Sequence, residues 1–545
     1  MLLVAIAIWC GNLEYRKLAL SDEGRYAEIP RYMAQSGDWI TPRLNGIKYF
    51  EKPPLQYWAT AAAYNVFGEH HWTARLWPAL AGFLGVLLMF HVGARLYGAD
   101  AGLYAALVLG SSLLYAGMAH ILTLDMGLTF FLGLAMAGML LALDPRADAR
   151  TNRVWMHVAA AACALAVLSK GLIGIVLPGA VIVLYMLVKR DFALVRRLHL
   201  VSGGVLFLAI SAPWFVAVSI ANPEFPQFFF IHEHFARYTT TIHHRYQPWY
   251  YFIPILLLGI LPWIVTLFDA LIGALKRPRA AGFDATLFLL LWAGFIFAFF
   301  SLSDSKLPSY ILPIFPALAL LIAVRLTTID ARVLAWQLAP LPVIALAGLL
   351  AVPYTVRLAS AAIPAALYQN QLPWLYAAAS VLLAGGTAAM VCGWRGNVRH
   401  AVVVCAFTGL ATTQFLVTSE DALSPSHSTY HLVQQLMPDL KPGVPFYSVG
   451  TYEQTLPFYI DRTVTLVAYQ DEMAFGLEHE PQRWVPDLAE FERRWRGHAY
   501  ALAVMGPEMY EQLQHAQLPI QLVARDTERV FVRTPPRQDE GGSKP

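Results

Sequence analysis

Apolar stretches of membrane-spanning length recur along this chain, separated by short polar joints. A helix needs about 20 mostly apolar residues to cross a bilayer. The spacing predicts spans near 74–94, 101–119, 122–143, 154–169, 171–188, 199–220, 249–273, 285–303, 308–327, 333–353, 374–393 and 400–418. The stretch from Met1 to about Leu13 is too short to cross alone, has no basic n-region and ends without a small-residue cleavage site. It reads as part of a first span, which brings the expected number to thirteen.

From about Ser419 the pattern becomes that of a soluble domain. Pro445 to Val449, Thr463 to Val467, Tyr500 to Met505 and Gln521 to Val523 read as short strands, and 451–459, 486–496 and 507–516 as helices. The stretch from Pro535 to Gly542 lacks apolar residues, which predicts disorder. The expected fold is therefore mainly α: a polytopic bundle over 1–418 with outward interfacial helices, followed by a small α/β domain over 419–545.

Composition agrees, with 57% hydrophobic and 14% charged residues. This excludes an ordinary soluble enzyme and argues against a nucleic-acid partner; the bilayer is the partner. The net charge of +3 averages over two sides of a membrane. Basic residues fall in alternate joints: Arg95; Arg146, Arg150 and Arg153; Lys189, Arg190, Arg196 and Arg197; Lys276, Arg277 and Arg279; Arg325 and Arg332; Arg395 and Arg399. By the positive-inside rule these are cytoplasmic. The joints 14–73, 120–125, 169–171, 221–248, 303–308 and 354–373, with everything after about 418, then face outward. The four cysteines, Cys10, Cys163, Cys392 and Cys405, all lie in apolar stretches, so burial is expected and no disulfide framework.

The outward joints hold the candidate chemistry. The first contains Ser21-Asp22-Glu23-Gly24-Arg25-Tyr26-Ala27-Glu28 and Tyr49-Phe50-Glu51-Lys52-Pro53-Pro54. Ser21 or Asp22 can cap a helix bent by Pro30, and Pro53 suits the first turn of a second helix with the stripe Leu55, Trp58, Ala59, Ala62 and Val66. Glu51 and Lys52 precede that helix, where Lys52 and backbone N–H groups attract an anion. Asp22 is either an N-cap or a catalytic carboxylate, and Glu23, Arg25 and Glu28 either a solvated face or part of a site. Asp125, Lys170, and Asp304 with Lys306 stand at the outer ends of other apolar spans, which predicts a polar cavity at the outer membrane boundary. The joint 221–248 carries Phe228 to Phe230, His232, His234, Arg237, His243, His244 and Arg245. Arg237 suits a headgroup phosphate. Glu51, His232 and His234 form a candidate divalent-metal set, for Zn or Mg.

The runs Asp22 to Glu28, Gly37-Asp38-Trp39-Ile40-Thr41-Pro42 and Gly46-Ile47-Lys48-Tyr49-Phe50-Glu51-Lys52-Pro53-Pro54 resemble the first external loop of the bacterial aminoarabinose transferases. These belong to the GT-C class of polytopic glycosyltransferases that use polyprenyl-phosphate sugars. The resemblance implies transfer of 4-amino-4-deoxy-L-arabinose from undecaprenyl phosphate to lipid A phosphates, on the periplasmic side of a bacterial inner membrane. Such transfer changes lipopolysaccharide charge and confers resistance to cationic peptides such as polymyxin. It implies Asp22 as the catalytic carboxylate, Asp125 as a second one, and Lys52 beside Glu51 on the polyprenyl phosphate. Arg25, Arg237, Lys170 and Tyr310 are implied as further phosphate contacts. Three alternatives remain open: a hexose or mannose transferase acting on another lipid or a protein hydroxyl, a lipid-linked sugar flippase, and a receptor or scaffold.

Overall fold

The computed structural model describes residues 2–230 and 247–536. The chain opens with helix Leu2–Cys10 (α1), then the first-loop helices Asp22–Ser36 (α2) and Leu55–Phe67 (α3), between which Arg43–Leu44 (β1) and Ile47–Lys48 (β2) form a small antiparallel hairpin. His71–Tyr97 (α4), Ala99–Ser111 (α5), Leu113–Met118 (α6), Asp125–Leu143 (α7), Ala149–Lys170 (α8), Ile173–Lys189 (α9) and Leu200–Ala221 (α10) follow.

Among the described residues, nine helical stretches are long and apolar enough to cross a membrane, or ten when Phe252–Gly259 and Ile264–Lys276, bent by 108° at their break, form one span. Three of the thirteen expected spans fall on helices shorter than 18 residues: α1 with 9, α5 with 13, which α6 follows after a break at Ser112, and α9 with 17. α8 and α9, separated at Gly171, are distinct helices packed on each other. The spans α7 and Pro308–Leu326 are the most enclosed, with 89% and 83% of their apolar windows buried, whereas α10 and Ala365–Trp394 are buried over only 17%. The first two are therefore the centre of the bundle and the last two its periphery. Cys163 and Cys405 are buried as expected, while Cys10 is exposed.

In the first loop, α2 ends at Gly37, whose φ of +74° lets its N–H reach the carbonyl of Met33. Helix α3 turns Tyr57, Thr60, Ala61 and Tyr64 inward and leaves the stripe Leu55, Trp58, Ala59, Ala62 and Val66 partly or fully exposed. Leu55 and Trp58 of that stripe pack beside Phe50, and Ala62 and Val66 are its exposed end.

The C-terminal domain is built on a six-stranded sheet. Its strands are Phe446–Val449 (β3), Thr465–Val467 (β4), Trp484–Val485 (β5), Leu502–Met505 (β6), Gln521–Arg525 (β7) and Val530–Arg533 (β8), in the order β5-β4-β3-β6-β8-β7. β5, β4, β3 and β6 are parallel, and β8 and β7 continue antiparallel. β3 and β6 are buried at every position, as parallel strands covered on both faces must be. One face, with Tyr447, Val449, Ala503 and Met505, packs on Phe491 and Trp495 of the domain's own helix Leu488–Gly497. The other, with Phe446, Leu466, Leu502 and Val504, shares one core with Tyr26, Ile29 and Met33 of α2 and Tyr57 and Tyr64 of α3. First loop and C-terminal domain are thus one body. Gly24 shows how close they lie: a Cβ there would stand 2.6 Å from the backbone of Gln454.

This body is pinned to the bundle by a buried ion cluster. Glu23, only 3% exposed, accepts from Arg16 Nη1 and Nη2 at 3.1 and 2.9 Å and from Arg75 Nε and Nη2 at 2.9 Å each. It also accepts from the N–H groups of Ala19 and Leu122 at 3.0 Å. Arg75 spends its remaining donors on the carbonyls of Leu13, Arg16 and Lys17, and Arg16 reaches the carbonyl of His120. Burial alone would raise the Glu23 carboxyl, but Arg16 and Arg75 hold it well below the usual carboxylate range. Glu28 is likewise fully buried against Arg31, at 2.6 and 2.8 Å. Glu23 and Glu28 are therefore structural, and the solvated-face reading does not hold for them.

Removing one partner of such a cluster leaves buried charge uncompensated, at a cost of about 3–5 kcal/mol. Glu23→Gln is expected to lose about that much stability, read as a lowered Tm in detergent; an unchanged Tm would contradict the assignment. Because the folded-state Glu23 titrates below its unfolded value, its stabilisation is present above about pH 4.3. The difference between wild type and Glu23→Gln should stay constant from pH 8 to pH 5 and shrink only in stronger acid.

Candidate active site

Where the bundle meets the joined first loop and C-terminal domain lies a cavity of about 1030 Å³. Asp22 and Arg25, from the first turn of α2, line it, as do Glu51 and Lys52 ahead of α3. The bundle supplies Asp125 at the first position of α7, Lys170 at the last of α8, and Tyr310 in the 3-10 turn Pro308–Ile314. Asp125 and Tyr310 thus sit at the cavity ends of the two most enclosed spans, where packing fixes their positions. Of the nine residues expected in the catalytic and phosphate sites, the seven just named are brought together by the fold.

The C-terminal domain forms the opposite wall, which the sequence reading did not anticipate. Gln454 follows β3, and Gln470, Asp471 and Glu472 follow β4. Phe475, Glu478, Pro481 and Trp484 complete the wall. Ligands of open α/β sheets bind in the crevice outside the carboxyl ends of the strands, and here that crevice closes over Asp22. The pair Asp471-Glu472 just past a predicted strand was the available signal.

The cations are matched to carboxylates. Arg25 binds Asp22 at 3.3 Å and also Glu472, which Gln454 holds at 3.1 Å. Lys170 pairs with Asp125 and lies 5.0 Å from the centre of the Tyr310 ring. Lys52 stands 3.7 Å from Glu51 Oε2. Six carboxylates, Asp22, Glu51, Asp125, Asp471, Glu472 and Glu478, face three cations among the described lining residues. Burial pushes the Glu472 carboxyl above its usual range, against the pull of Arg25. Asp22 is the open acid, its side chain 44% exposed. The cap position belongs to Ser21, which makes no side-chain cap bond, so Asp22 is not committed to capping. Close to Arg25, polar atoms are buried without partners among the described residues: Arg25 Nε and the hydroxyls of Tyr49 and Tyr57. Buried groups of this kind call for a polar ligand.

Lys306 is not among the lining residues. Its ammonium donates to the carbonyls of Gln247, at 2.7 Å, and Ser303, so it braces the backbone beside the site. Asp304 is exposed and also outside the lining. Of the candidate metal set, Glu51 lines the cavity, whereas His232 and His234, like Arg237, lie outside the described residues. Among the described residues no three His, Cys, Asp or Glu side chains are grouped to hold a metal ion.

Comparison with known proteins places this geometry. The family described as Aminoarabinose transferase C-terminal domain matches residues 432–534, and the one described as Dolichyl-phosphate-mannose-protein mannosyltransferase matches residues 51–216. Curated relatives include the undecaprenyl phosphate-alpha-4-amino-4-deoxy-L-arabinose arabinosyl transferases of Pseudomonas fluorescens, 36% identical over 59% of this chain and 54% of the relative, and of Proteus mirabilis, 37% identical over 57% and 56%. The chain thus spans a little over half the length of these curated relatives. The oligosaccharyltransferase AglB of Archaeoglobus fulgidus shares the fold, with a TM-score of 0.51 at 13% identity over 93% of this chain and 69% of that one. The crystal structure of ArnT from Cupriavidus metallidurans bound to undecaprenyl phosphate superposes with a TM-score of 0.94 at 40% identity, over 98% of both chains. A match of that extent takes in the bundle, the first loop and the C-terminal wall together, and the chain belongs to the aminoarabinose transferase family.

Proposed function

We propose that this multi-pass membrane protein transfers 4-amino-4-deoxy-L-arabinose from undecaprenyl phosphate to a phosphate group of lipid A, at the periplasmic face of the inner membrane. The observation that carries the reading is the single cavity into which Asp22, Arg25, Glu51, Lys52, Asp125, Lys170 and Tyr310 converge. The relatives named for this reaction and the alternation of basic joints support its substrates and orientation.

The reaction forms a bond from an acceptor phosphate oxygen to the anomeric carbon and breaks the bond from that carbon to the polyprenyl phosphate, which leaves as a dianion. Lys52 and Arg25 are the cations for that developing charge, and Lys170 can add to them. Each is paired with a carboxylate, so an entering phosphate competes for the cation and frees an acid. The surplus of carboxylates suits the donor's ammonium. A phosphate monoester has its second pKa near 6, so at neutral pH the acceptor is largely the nucleophile already. Asp22 then orients the acceptor, takes up its residual proton and stabilises positive charge on the sugar. One displacement inverts the anomeric centre.

The match to the mannosyltransferase family over residues 51–216 keeps a second reading in view, a polyprenyl-phosphate mannose or hexose donor. Neutral sugars have no use for the acid surplus, which favours the aminosugar. Charges gathered at the outer ends of the spans fit an outward enzyme better than a flippase with a midplane site.

Purified protein given candidate polyprenyl-phosphate sugars should move the aminosugar onto lipid A by mass spectrometry, with inversion by NMR. Transfer of a neutral hexose to protein, and none to lipid A, would establish the second reading instead. Asp22→Asn, at unchanged Tm, is expected to lower kcat about 10²- to 10⁴-fold; near-full activity would remove Asp22 from the chemistry. Lys52→Ala should raise the donor KM about 10- to 100-fold, the loss of roughly 1.5–3 kcal/mol for a hydrogen bond to a charged group. A donor KM equal to that of wild type would place the phosphate elsewhere.

A further inference from the structure

Four of the residues that line the cavity form one chain of polar contacts, and it begins in the C-terminal domain. Gln454 Nε2 donates to Glu472 Oε1 at 3.1 Å. Glu472 Oε2 pairs with Arg25 Nη2, and Arg25 Nη1 reaches Asp22 Oδ1 at 3.3 Å.

Arg25 is shared unequally along that chain. Glu472 is the enclosed partner, its side chain 10% exposed, whereas Asp22 is 44% exposed and holds the guanidinium through one oxygen, at a distance longer than most N–H···O bonds. An ion pair shielded from water is the stronger one, so Arg25 is drawn toward the C-terminal wall. Among the described residues Asp22 Oδ2 has no partner. With Glu472 turned away or protonated, Arg25 is released to close on both oxygens of Asp22, in the fork geometry that guanidinium and carboxylate favour. The open acid of the site would then be occupied.

Two groups keep Glu472 charged and facing Arg25: the guanidinium itself and the Gln454 amide. Burial works against the charge and pushes the Glu472 carboxyl above its usual range, and the neighbouring acids Glu51 and Asp471 push the same way. Arg25 and Gln454 oppose them. Tyr49 and Tyr57 from the first loop, with Tyr452 and Tyr469 from the C-terminal domain, are the other titratable groups that face Glu472; burial raises all four phenols, so they are neutral at the pH of the reaction.

Gln454 owes its position to backbone packing. A Cβ at Gly24, between Glu23 and Arg25, would stand 2.6 Å from its carbonyl carbon, so the residue is pressed on the first turn of α2. The next residue is tied down as well: the Thr455 hydroxyl meets that of Thr429 at 3.0 Å and accepts from the Thr429 N–H at 3.1 Å. The amide is thus aimed at Glu472 by a backbone that the first loop holds.

We propose that Gln454 is a positioning residue for the transfer: it holds Glu472 against Arg25, and Arg25 so held leaves Asp22 open to the substrates. The proposal rests on the transfer reading above and gives the C-terminal domain a part in the chemistry without a contact to the reacting atoms.

The test uses the full-length protein in nanodiscs with the undecaprenyl-phosphate aminosugar and lipid A. Gln454→Met, which keeps the length of the side chain and removes the donor, should lower kcat about tenfold at unchanged Tm and move the acid limb of kcat up by about one pH unit, because charged Glu472 loses a hydrogen bond that favours it. Gln454→Glu, with an anion in place of the donor, should move that limb further. In a Glu472→Gln background Gln454→Met should change kcat by less than twofold, since the group it acts through is gone. Full activity in both Gln454 variants, an unmoved acid limb, or a loss that multiplies undiminished onto that of Glu472→Gln overturns the proposal. The Glu472 carboxylate is also titrated without substrate, by infrared difference against the Glu472→Gln form of each protein. A wild type that transfers nothing refutes the transfer reading, whereas this titration decides the positioning role by itself: an upward shift of about one unit in Gln454→Met supports it, and no shift refutes it.

Discussion

One carboxylate between two arginines, sealed from water, holds this molecule in register. Burying three charged groups is costly, and only complete pairing makes it tolerable. Glu23 meets that condition with two guanidinium forks and two backbone N–H groups. The network ties four separate pieces of chain: the start of α2, the segment from Leu13 to Ala19, the first turns of α4 through Arg75, and the stretch from His120 to Leu122. Asp22 is its immediate neighbour, and Asp125 lies three residues past Leu122. The staple therefore holds in place the segments that carry Asp22 and Asp125, the two acids proposed for the chemistry, and is not itself among the described lining residues.

A second constraint follows from the sheet. Because β3, β4 and β6 are apolar on both faces, each face needs a cover, and the chain supplies α2 and α3 for one of them. Burial of that face places the crevice at the ends of β3 and β4 against the first loop, so a domain that reads as an appendage becomes a wall of the site. Among the described lining residues each of the three cations has a carboxylate partner. Three cations among six acids suit a zwitterionic lipid: phosphate for the lysines and arginine, ammonium for the acids.

The bundle was legible because span length and the alternation of Arg and Lys are strong, repetitive signals. Hydropathy reports composition, so the break at Ser112 that divides one apolar run into α5 and α6 was not legible. Asp22, Lys52, Asp125 and Lys170 were legible because charge beside lipid needs a reason. Glu23 and Arg25 look alike in sequence, and only packing shows that one is a strut and the other lines the site. Lys306 was chosen on the same argument as Lys170, yet its ammonium turns to backbone carbonyls. The acidic pair Asp471-Glu472 past a predicted strand was a signal, but nothing local in an α/β domain says which strand ends will meet a loop some 450 positions earlier in the chain. β8 and the two-residue strand β5 were also missed, too short for alternation to register.

The central claim is that donor phosphate and C-terminal wall face each other across one cavity. Its most direct test is a cryo-EM structure of the protein in nanodiscs with a non-hydrolysable polyprenyl-phosphonate analogue of the aminosugar donor. The account predicts phosphonate density beside Lys52, with the sugar between Asp22 and Glu472. Density for the headgroup away from both Lys52 and the C-terminal domain would contradict it.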